Sequence, residues 1–182
     1  MGETAAPQAG RAATGGRGRA RPALVAPGAL VKAAVRAVIQ RVSRASVSAG
    51  GRRLGEIGRG LVVLVGVAQD DGERDTAFIA DRIIGMRLFD DGQGRMNLAL
   101  QAAGGALLVV SQFTLLADTT TGRRPSFAGA APAQTARALY QRLIERFRES
   151  GAPVEHGEFG ARMEVALTNE GPVTIVLDSR KG

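Results

Sequence analysis

Two stretches of the chain are apolar at almost every position, a pattern that is typical of strands buried on both faces of a sheet. The first is LVVLVGVA, residues 61–68, which lies between Gly60 and the turn-forming letters QDDG. The second is residues 106–110, which lead directly into SQFT, residues 111–114, three of which are polar. We therefore predict two buried strands, the second with polar side chains crowded at its exit.

Weaker strand patterns surround these two runs. Residues 35–60 alternate in polarity around Gln40 and Arg41 and contain the turn-forming letters AGGRR. This pattern predicts a strand or hairpin with one solvent-exposed face. Residues 86–100, MRLFDDGQGRMNLAL, predict a short strand, a glycine-rich turn and a return. Near the C-terminus, RMEVAL and PVTIVL predict two further strands.

Two segments have the spacing of amphipathic helices. The first begins at a cap, Asp70 or Asp71, ends near Gly85, and carries an apolar stripe of Ala77, Ile79, Ala80, Ile83 and Ile84. The second follows Pro132, ends before Gly151, and carries a stripe of Ala136, Leu139, Tyr140, Leu143, Ile144 and Phe147. We interpret this second stripe as core packing. Strands mixed with two helices predict an α/β domain, with mixed β-sheets and the helices packed on one face.

Composition limits the domain count and the chemistry. A chain of 182 residues that is 45% hydrophobic suffices for one domain but hardly for two. It has no apolar run near the roughly 18 residues of a membrane span and no secretory signal, so we expect a soluble, cytoplasmic protein. The absence of cysteine excludes disulfides and thiolate nucleophiles, and the single histidine, His156, excludes a cluster of imidazole ligands. We expect no metal and no cofactor.

Residues 1–34 differ in amino-acid composition from the rest of the chain. They are rich in alanine, glycine, proline and arginine, and account for four of the seven net positive charges. Such a segment cannot bury enough apolar surface to fold, so we predict that residues 1–34 are disordered and that residues 35–182 form the domain. A transit peptide, although serine is missing, and a basic arm that touches RNA phosphates are alternatives.

The usual catalytic groups are missing from the sequence. His156 lies in PVEHGEFG, which we predict to be a glycine-flanked loop, so it is a poor candidate for the base of a serine hydrolase. The carboxylate pairs DD at 70–71 and 90–91 adjoin glycines, as turn and cap residues do. GEIGRG and GQGRMN lack the order of strand, glycine loop and helix that binds phosphate. What remains is residues 111–114 after one strand and Gly171-Pro172 before another.

Five stretches carry a resemblance to a known family. They are VRAVIQRVSRASV, GEIGRGLVVLVGVAQ, LLVVSQFTLLADT, GRRPSFAGAAP and NEGPVTIVLDS. In this order, from Val35 to Ser179, the sequence closely resembles the D-aminoacyl-tRNA deacylase family, of the D-tyrosyl-tRNA deacylase type. Its two signature motifs are complete here, Ser-Gln-Phe-Thr as residues 111–114 and Asn-X-Gly-Pro-Val-Thr as residues 169–174.

The resemblance implies an activity and an assembly. The activity is hydrolysis of the ester that joins a D-amino acid to the terminal adenosine of tRNA, a form of translational proofreading. The family is homodimeric, with active sites at the interface, where a cis Gly-Pro dipeptide of one subunit enters the pocket of the other. Carried over, Gly171 and Pro172 would form a wall against L side chains and offer carbonyls to the substrate ammonium. Asn169 begins this motif, and Arg41 would pin the loop, although spacing alone also allows a solvated Arg41.

The other motif, Ser111, Gln112, Phe113 and Thr114, would form the opposing, catalytic wall. Its consecutive N–H groups would stabilise an oxyanion. Thr114 has been considered a nucleophile in the family, but no evident base accompanies it, so we favour assistance by the ribose hydroxyl beside the ester. Phe113 would pack near the terminal adenosine or line the pocket, or belong to the core. Since steric exclusion cannot reject glycine, we also expect cleavage of glycyl-tRNA.

Two other functions stay open at this point. A related deacylase that edits L-alanine departs from both motifs, whereas this chain does not. A non-catalytic RNA-binding module is suggested by Arg123 and Arg124, although only seven aromatic residues are available for stacking on bases. The family also usually has methionine where this chain has Val35, so residues 1–34 are expected to reflect a mis-called GTG start, which the intact mass of the native protein would test.

Overall fold

The computed structural model describes residues 1–2, 34–120 and 122–180. The predicted disordered segment, residues 1–34, lies almost entirely outside this range, and its disorder stays a prediction. Ala34 and Val35, at the start of the main described part, are both buried.

A mixed six-stranded sheet forms the centre of the fold. Five strands lie in the order β2-β1-β3-β6-β7, and β8 also pairs with β1. Their bounds are β1 Arg36–Ala49, β2 Arg52–Ile57, β3 Gly60–Gly66, β6 Ala106–Ser111, β7 Val154–His156 and β8 Met163–Asp178. β6 runs parallel to β3 and β7, and the other pairs are antiparallel, so the predicted mixed sheet is confirmed.

The predicted hairpin and both predicted buried strands are present. β1 and β2 are joined at Gly50 and Gly51, whose φ values of 56° and 77° suit a tight hairpin turn. The strands β3 and β6 correspond to the two apolar runs and lie side by side in the middle of the sheet. The segment MRLFDDGQGRMNLAL forms the predicted strand and return, with β4 at Phe89–Asp90 and β5 at Met96–Leu98.

The two helices are α1, Glu73–Gly85, and α2, Ala133–Glu149, and a short 3-10 helix spans Phe113–Leu116. The predicted cap of α1 was wrong, because the N-cap is Gly72, whose N–H donates to Asp75 Oδ2 at 3.0 Å. Asp71 is instead used to close the preceding turn, since its Oδ2 accepts the N–H of Ala68 at 2.6 Å. Gly151 follows α2 with φ of 81°, as expected for a residue that ends a helix.

The core lies between the sheet and the helices, which confirms that both helices cover one face. Its largest fully buried side chains include Ile39, Leu61 and Leu107 from the strands and Ile79, Ile83, Leu143 and Phe147 from the helices. The other face carries a smaller cluster, formed by Val42, Ala45, Val47, Ile57, Val62, Leu108 and Val110.

β8 differs from the prediction, because RMEVAL and PVTIVL form one continuous strand of 16 residues. The pairing with β1 shifts around Gly171-Pro172, where Val42 faces Asn169 and Gln40 faces Thr174. The side chain of Asn169 fills the gap: its Oδ1 accepts the N–H of Val173 at 2.8 Å and its Nδ2 donates to the Val173 carbonyl at 3.1 Å. An amide side chain thus replaces the missing backbone partner, so the strand continues past the dipeptide.

Candidate active site

A cavity of about 430 Å³ opens at the end of the two central strands. This volume lies in the range of small-molecule sites. Its walls come from the ends of β3 and β6, the start of α2, the segment before it, and the chain around the start of β8. The lining residues are Val65, Val67, Val110, Ser111, Gln112, Phe113, Ala130, Ala131, Ala133, Ala136, Tyr140, Phe159, Gly160, Ala161, Met163 and Val165.

Backbone hydrogen bonds place the first signature motif at this cavity. Because β3 and β6 are parallel, their carboxyl ends meet at the same edge of the sheet. The N–H of Gln112 donates to the Val65 carbonyl at 2.7 Å, and the 3-10 helix begins at the next residue. On the other side, the N–H of Ala131 donates to the Val67 carbonyl at 2.9 Å and closes the wall.

The motif residues have unequal access to the cavity. Ser111, Gln112 and Phe113 line it, whereas Thr114 is exposed and does not. Phe113 is 59% exposed and packs edge-on against Phe127, with 5.1 Å between ring centroids, so it is not a core residue. The Thr114 hydroxyl accepts a hydrogen bond from the side-chain amide of Gln112.

The N–H groups at the motif are fewer than the sequence suggested. The N–H of Gln112 is engaged by Val65, because Ser111 still belongs to the sheet. The first residues of a helix have N–H groups without an acceptor inside the helix. Phe113 and Thr114 begin the 3-10 helix, so their N–H groups are the candidate donors to a substrate oxyanion.

The cavity offers no ordinary general base. Among its described lining residues, the only titratable side chain is Tyr140, whose hydroxyl donates to the Val109 carbonyl at 2.8 Å. Burial raises the pKa of Tyr140, so the phenol stays protonated. His156 does not line the cavity, and the prediction that it lies in a loop was wrong, because it ends β7 with Nδ1 2.9 Å from the Gly157 carbonyl oxygen.

The Gly-Pro part of the second motif lies on the surface and is not part of the cavity wall of its own chain. Gly171 and Pro172 are exposed, and the peptide bond between them is cis. Neither residue lines the cavity. Along β8, Gly171 is six residues beyond Val165 of the cavity wall, which corresponds to at most about 20 Å of strand.

The side chain of Arg41 contacts the segment of β8 around Gly171-Pro172, which we call the Gly-Pro loop. The side chain is only 7% exposed, so the residue is not the solvated arginine that spacing alone allowed. Nε donates to the Glu170 carbonyl at 3.0 Å, and Nη1 donates to the Leu88 carbonyl at 2.7 Å and lies 3.3 Å from Asp90 Oδ1. One guanidinium therefore ties the residue before Gly171-Pro172 to the ribbon of β4.

Several cavity residues were missed from the sequence. Phe159 and Gly160 lie between β7 and β8, in a segment for which the sequence predicted only a loop. Met163 begins β8, in the predicted strand RMEVAL, and was not recognised as a cavity residue. Tyr140 was assigned to the core stripe of α2, and it also faces the cavity. The available signal was Phe159 between two glycines in HGEFG, since binding residues often lie on loops held by a rigid scaffold.

Two negative observations apply to the described residues. None of their helices is both long and apolar enough to cross a membrane. In the same part of the chain, no three His, Cys, Asp or Glu side chains are grouped in a way that suits a metal ion.

Comparison with known proteins decides the family. The family model described as D-Tyr-tRNA(Tyr) deacylase matches residues 38–178. This chain belongs to that family. Its relatives include proteins named D-aminoacyl-tRNA deacylase from Anaeromyxobacter dehalogenans, 54% identical, and Symbiobacterium thermophilum, 52% identical. Both alignments cover 81% of this chain, and 99% and 97% of the respective relatives. The family members are hydrolases of an ester bond, and this chain is an enzyme of that class.

Two solved structures share the fold. One is titled c-Myc DNA Unwinding Element Binding Protein; it has a TM-score of 0.75 and 37% identity, over 79% of this chain and 97% of the other. The second is titled as a structural analysis of a probable eukaryotic D-amino acid tRNA deacylase, with a TM-score of 0.69 over 79% of this chain and 98% of the other. At 18% identity, this second similarity shows the fold alone.

Proposed function

We propose that this chain hydrolyses the ester bond between a D-amino acid and the 3′-terminal adenosine of tRNA. The observation that carries the proposal is the cavity of about 430 Å³, which is bordered by Ser111, Gln112 and Phe113 and lacks a side-chain base. The names of the curated relatives support the same substrate.

The terminal adenosine occupies the cavity in this proposal. Phe113 and Phe159 supply aromatic surface for a base, and small alanines leave room for it. The ester carbonyl then lies beside the start of the 3-10 helix, where the N–H groups of Phe113 and Thr114 stabilise the oxyanion. The vicinal ribose hydroxyl assists water, since none of the described lining residues offers a base and the Thr114 hydroxyl accepts a hydrogen bond from Gln112.

Chirality is selected by the Gly171-Pro172 loop of a second subunit. The loop is exposed, tied through Arg41 and Asn169, and does not line its own cavity, which is the arrangement expected of a part that acts on a neighbour. Its carbonyls hold the substrate ammonium, and its wall collides with an L side chain. A homodimer is further supported by exposed apolar side chains on β8, namely Val165, Leu167 and Val176.

Glycine follows as a second substrate. A filter that works by collision cannot reject an amino acid without a side chain, so glycyl-tRNA is cleaved as well. Failure to cleave glycyl-tRNA under conditions that cleave D-Tyr-tRNA contradicts selection by exclusion.

A turnover assay tests the proposed function. A catalytic amount of the full chain is incubated with D-tyrosyl-tRNA, L-tyrosyl-tRNA and L-alanyl-tRNA, and the release of amino acid is followed. Multiple turnovers on the D-ester alone support the proposal. Turnover on L-alanyl-tRNA instead identifies an L-alanine-editing enzyme, and binding without turnover identifies an RNA-binding module.

A further inference from the structure

Arg137 lies against the outer side of one cavity wall. It projects from the second turn of α2, whose residues Ala133, Ala136 and Tyr140 line the cavity. Its guanidinium carbon is 5.0 Å from the centroid of the Phe159 ring, and Nη2 is 3.5 Å from the Phe159 carbonyl oxygen. Phe159 itself is a lining residue, so the cation is one side chain removed from the cavity.

The guanidinium of Arg137 has N–H groups that no carboxylate of the described residues engages. Two other arginines of α2 are engaged by carboxylates, since Arg142 pairs with Glu145 and Arg146 with Asp81. Arg137 forms no ion pair with any residue in the described part of the chain, and it is exposed. An arginine that is stacked on a ring has its plane fixed while its N–H edge remains available, and that edge matches the oxygens of a phosphate.

We propose that Arg137 binds a phosphodiester of the tRNA 3′ end and thereby positions the terminal nucleotide in the cavity. The inference rests on the proposed function, because an adenosine in the cavity is followed on its 5′ side by a phosphodiester that must pass the mouth. The contact with Phe159 places the cation beside the ring that borders the nucleoside, within reach of the adjoining phosphodiester. Arg137 is a substrate-binding residue and takes no part in the chemical step.

The test compares Arg137→Ala with Arg148→Ala on two substrates. Arg148 lies three turns further along the same face of α2, about 16 Å away, is also exposed and forms no ion pair among the described residues. The substrates are D-tyrosyl-tRNA and the 3′-O-D-tyrosyl ester of adenosine, which contains no phosphate. For Arg137→Ala, we expect kcat/KM on D-tyrosyl-tRNA to fall about tenfold, mainly through KM, as for one charged hydrogen bond.

The phosphate-free ester gives the discriminating readout. Arg137→Ala cleaves it at the wild-type rate, which also shows that the variant is folded. For Arg137→Ala on tRNA, the slope of log kcat/KM against log salt concentration becomes shallower by about one phosphate contact. The conservative variant Arg137→Lys retains part of the affinity for tRNA. Arg148→Ala behaves as wild type on both substrates.

Three results overturn the inference. They are an equal loss on both substrates, which places the contact on the nucleoside; no loss on tRNA; and an equal loss in Arg148→Ala, which indicates nonspecific charge. Each of these three results can be interpreted only if the wild-type protein cleaves D-tyrosyl-tRNA. A wild-type protein that cleaves neither D-ester refutes the proposed function itself, so the two failures are distinguishable.

Discussion

The guanidinium of Arg41 donates a 3.0 Å hydrogen bond to the carbonyl oxygen of Glu170, the residue that precedes Gly171-Pro172. The two residues are 129 positions apart in the chain, and the contact is partly buried. A surface loop is thereby tied to a buried cation, and we expect this contact to hold the Gly-Pro loop in position before any substrate arrives.

Replacing Arg41 tests this anchor. Arg41→Ala leaves the carbonyls of Glu170 and Leu88 without their donor, so we expect the free energy of unfolding to fall by about 2–4 kcal/mol. Selectivity for D-tyrosyl-tRNA over L-tyrosyl-tRNA falls with it, because the loop is no longer held. Denaturant titration and paired deacylation assays measure the two effects.

Arg44 provides the matched control for this prediction. It lies three residues along the same strand and donates a 3.3 Å hydrogen bond to the exposed Thr168 hydroxyl. Arg44→Ala should cost less than about 0.5 kcal/mol, as is usual for surface substitutions, and should keep full selectivity. Equal effects of the two substitutions would refute the special role of Arg41.

Phe113→Pro tests the oxyanion donor. Proline lacks an N–H but is tolerated at the first residue of a helix, so the backbone path is preserved. Phe113→Ala removes the same aromatic ring and keeps the N–H. We expect Phe113→Pro to have a kcat about 100- to 1000-fold below that of Phe113→Ala, the usual cost of one oxyanion-hole donor. Identical kcat values for the two variants would exclude the Phe113 N–H from catalysis.

The Thr114 hydroxyl is expected to be dispensable. Thr114→Val should retain most of the activity, because the residue is exposed and its hydroxyl forms a hydrogen bond with the Gln112 amide and with no base among the described residues. A D-aminoacyl-tRNA whose terminal ribose lacks the vicinal hydroxyl should be cleaved at least about 100-fold more slowly, as expected for loss of general acid–base assistance. If threonine attacks the ester, the outcome is reversed: Thr114→Ala and Thr114→Val are inactive, and the deoxy substrate is cleaved normally.

Asp71 predicts a pH dependence of stability. Its side chain is inaccessible to solvent, and burial raises its pKa to about 6, with Asp75 adding to the rise and Arg180 opposing it. The folded state thus holds a proton that the unfolded chain releases, so stability falls as pH rises from about 4 to 6 and then levels off. The loss is on the order of 3 kcal/mol for a shift of this size.

Asp71→Asn isolates this effect. The amide can still accept the Ala68 N–H and does not ionise, so its unfolding free energy should lack the decrease between pH 4 and 6. Parallel pH profiles for the variant and the wild type would show that Asp71 is not the group responsible.

The sequence was most informative where one local pattern decides the structure. The apolar runs of β3 and β6 and the apolar stripe of α2 led to the correct elements. Burial of a strand on both faces produces a continuous apolar run, and burial of one helix face produces a regular apolar spacing. The join within β8 could not be predicted in this way. Gly171-Pro172 signals a break, and the pattern does not reveal that the side chain of Asn169 bridges this break through hydrogen bonds to Val173, four residues away.

The candidate site was only partly predictable for a similar reason. Its first motif could be located because polar residues follow a buried strand, but Phe159 and Met163 reach the same cavity through chain topology, which no local spacing records. Arg41 gave no local signal of burial either, because its partners Leu88 and Glu170 are 47 and 129 residues away.

The most direct test of the account is complementation between two variants in one dimer. Phe113→Pro impairs the cavity and leaves the Gly-Pro loop intact. Gly171→Ala impairs the loop, since Gly171 has φ of +133° and an added Cβ would lie 2.7 Å from Val173 Cγ2. The two variants are expressed together with different tags, and mixed dimers are purified and assayed on D-tyrosyl-tRNA. Each pure variant should be nearly inactive, whereas the mixed dimer, with one intact cavity facing one intact loop, should have about half of the wild-type activity per dimer. Mixed dimers as inactive as their parents, or a protein that is monomeric while active, would contradict the account.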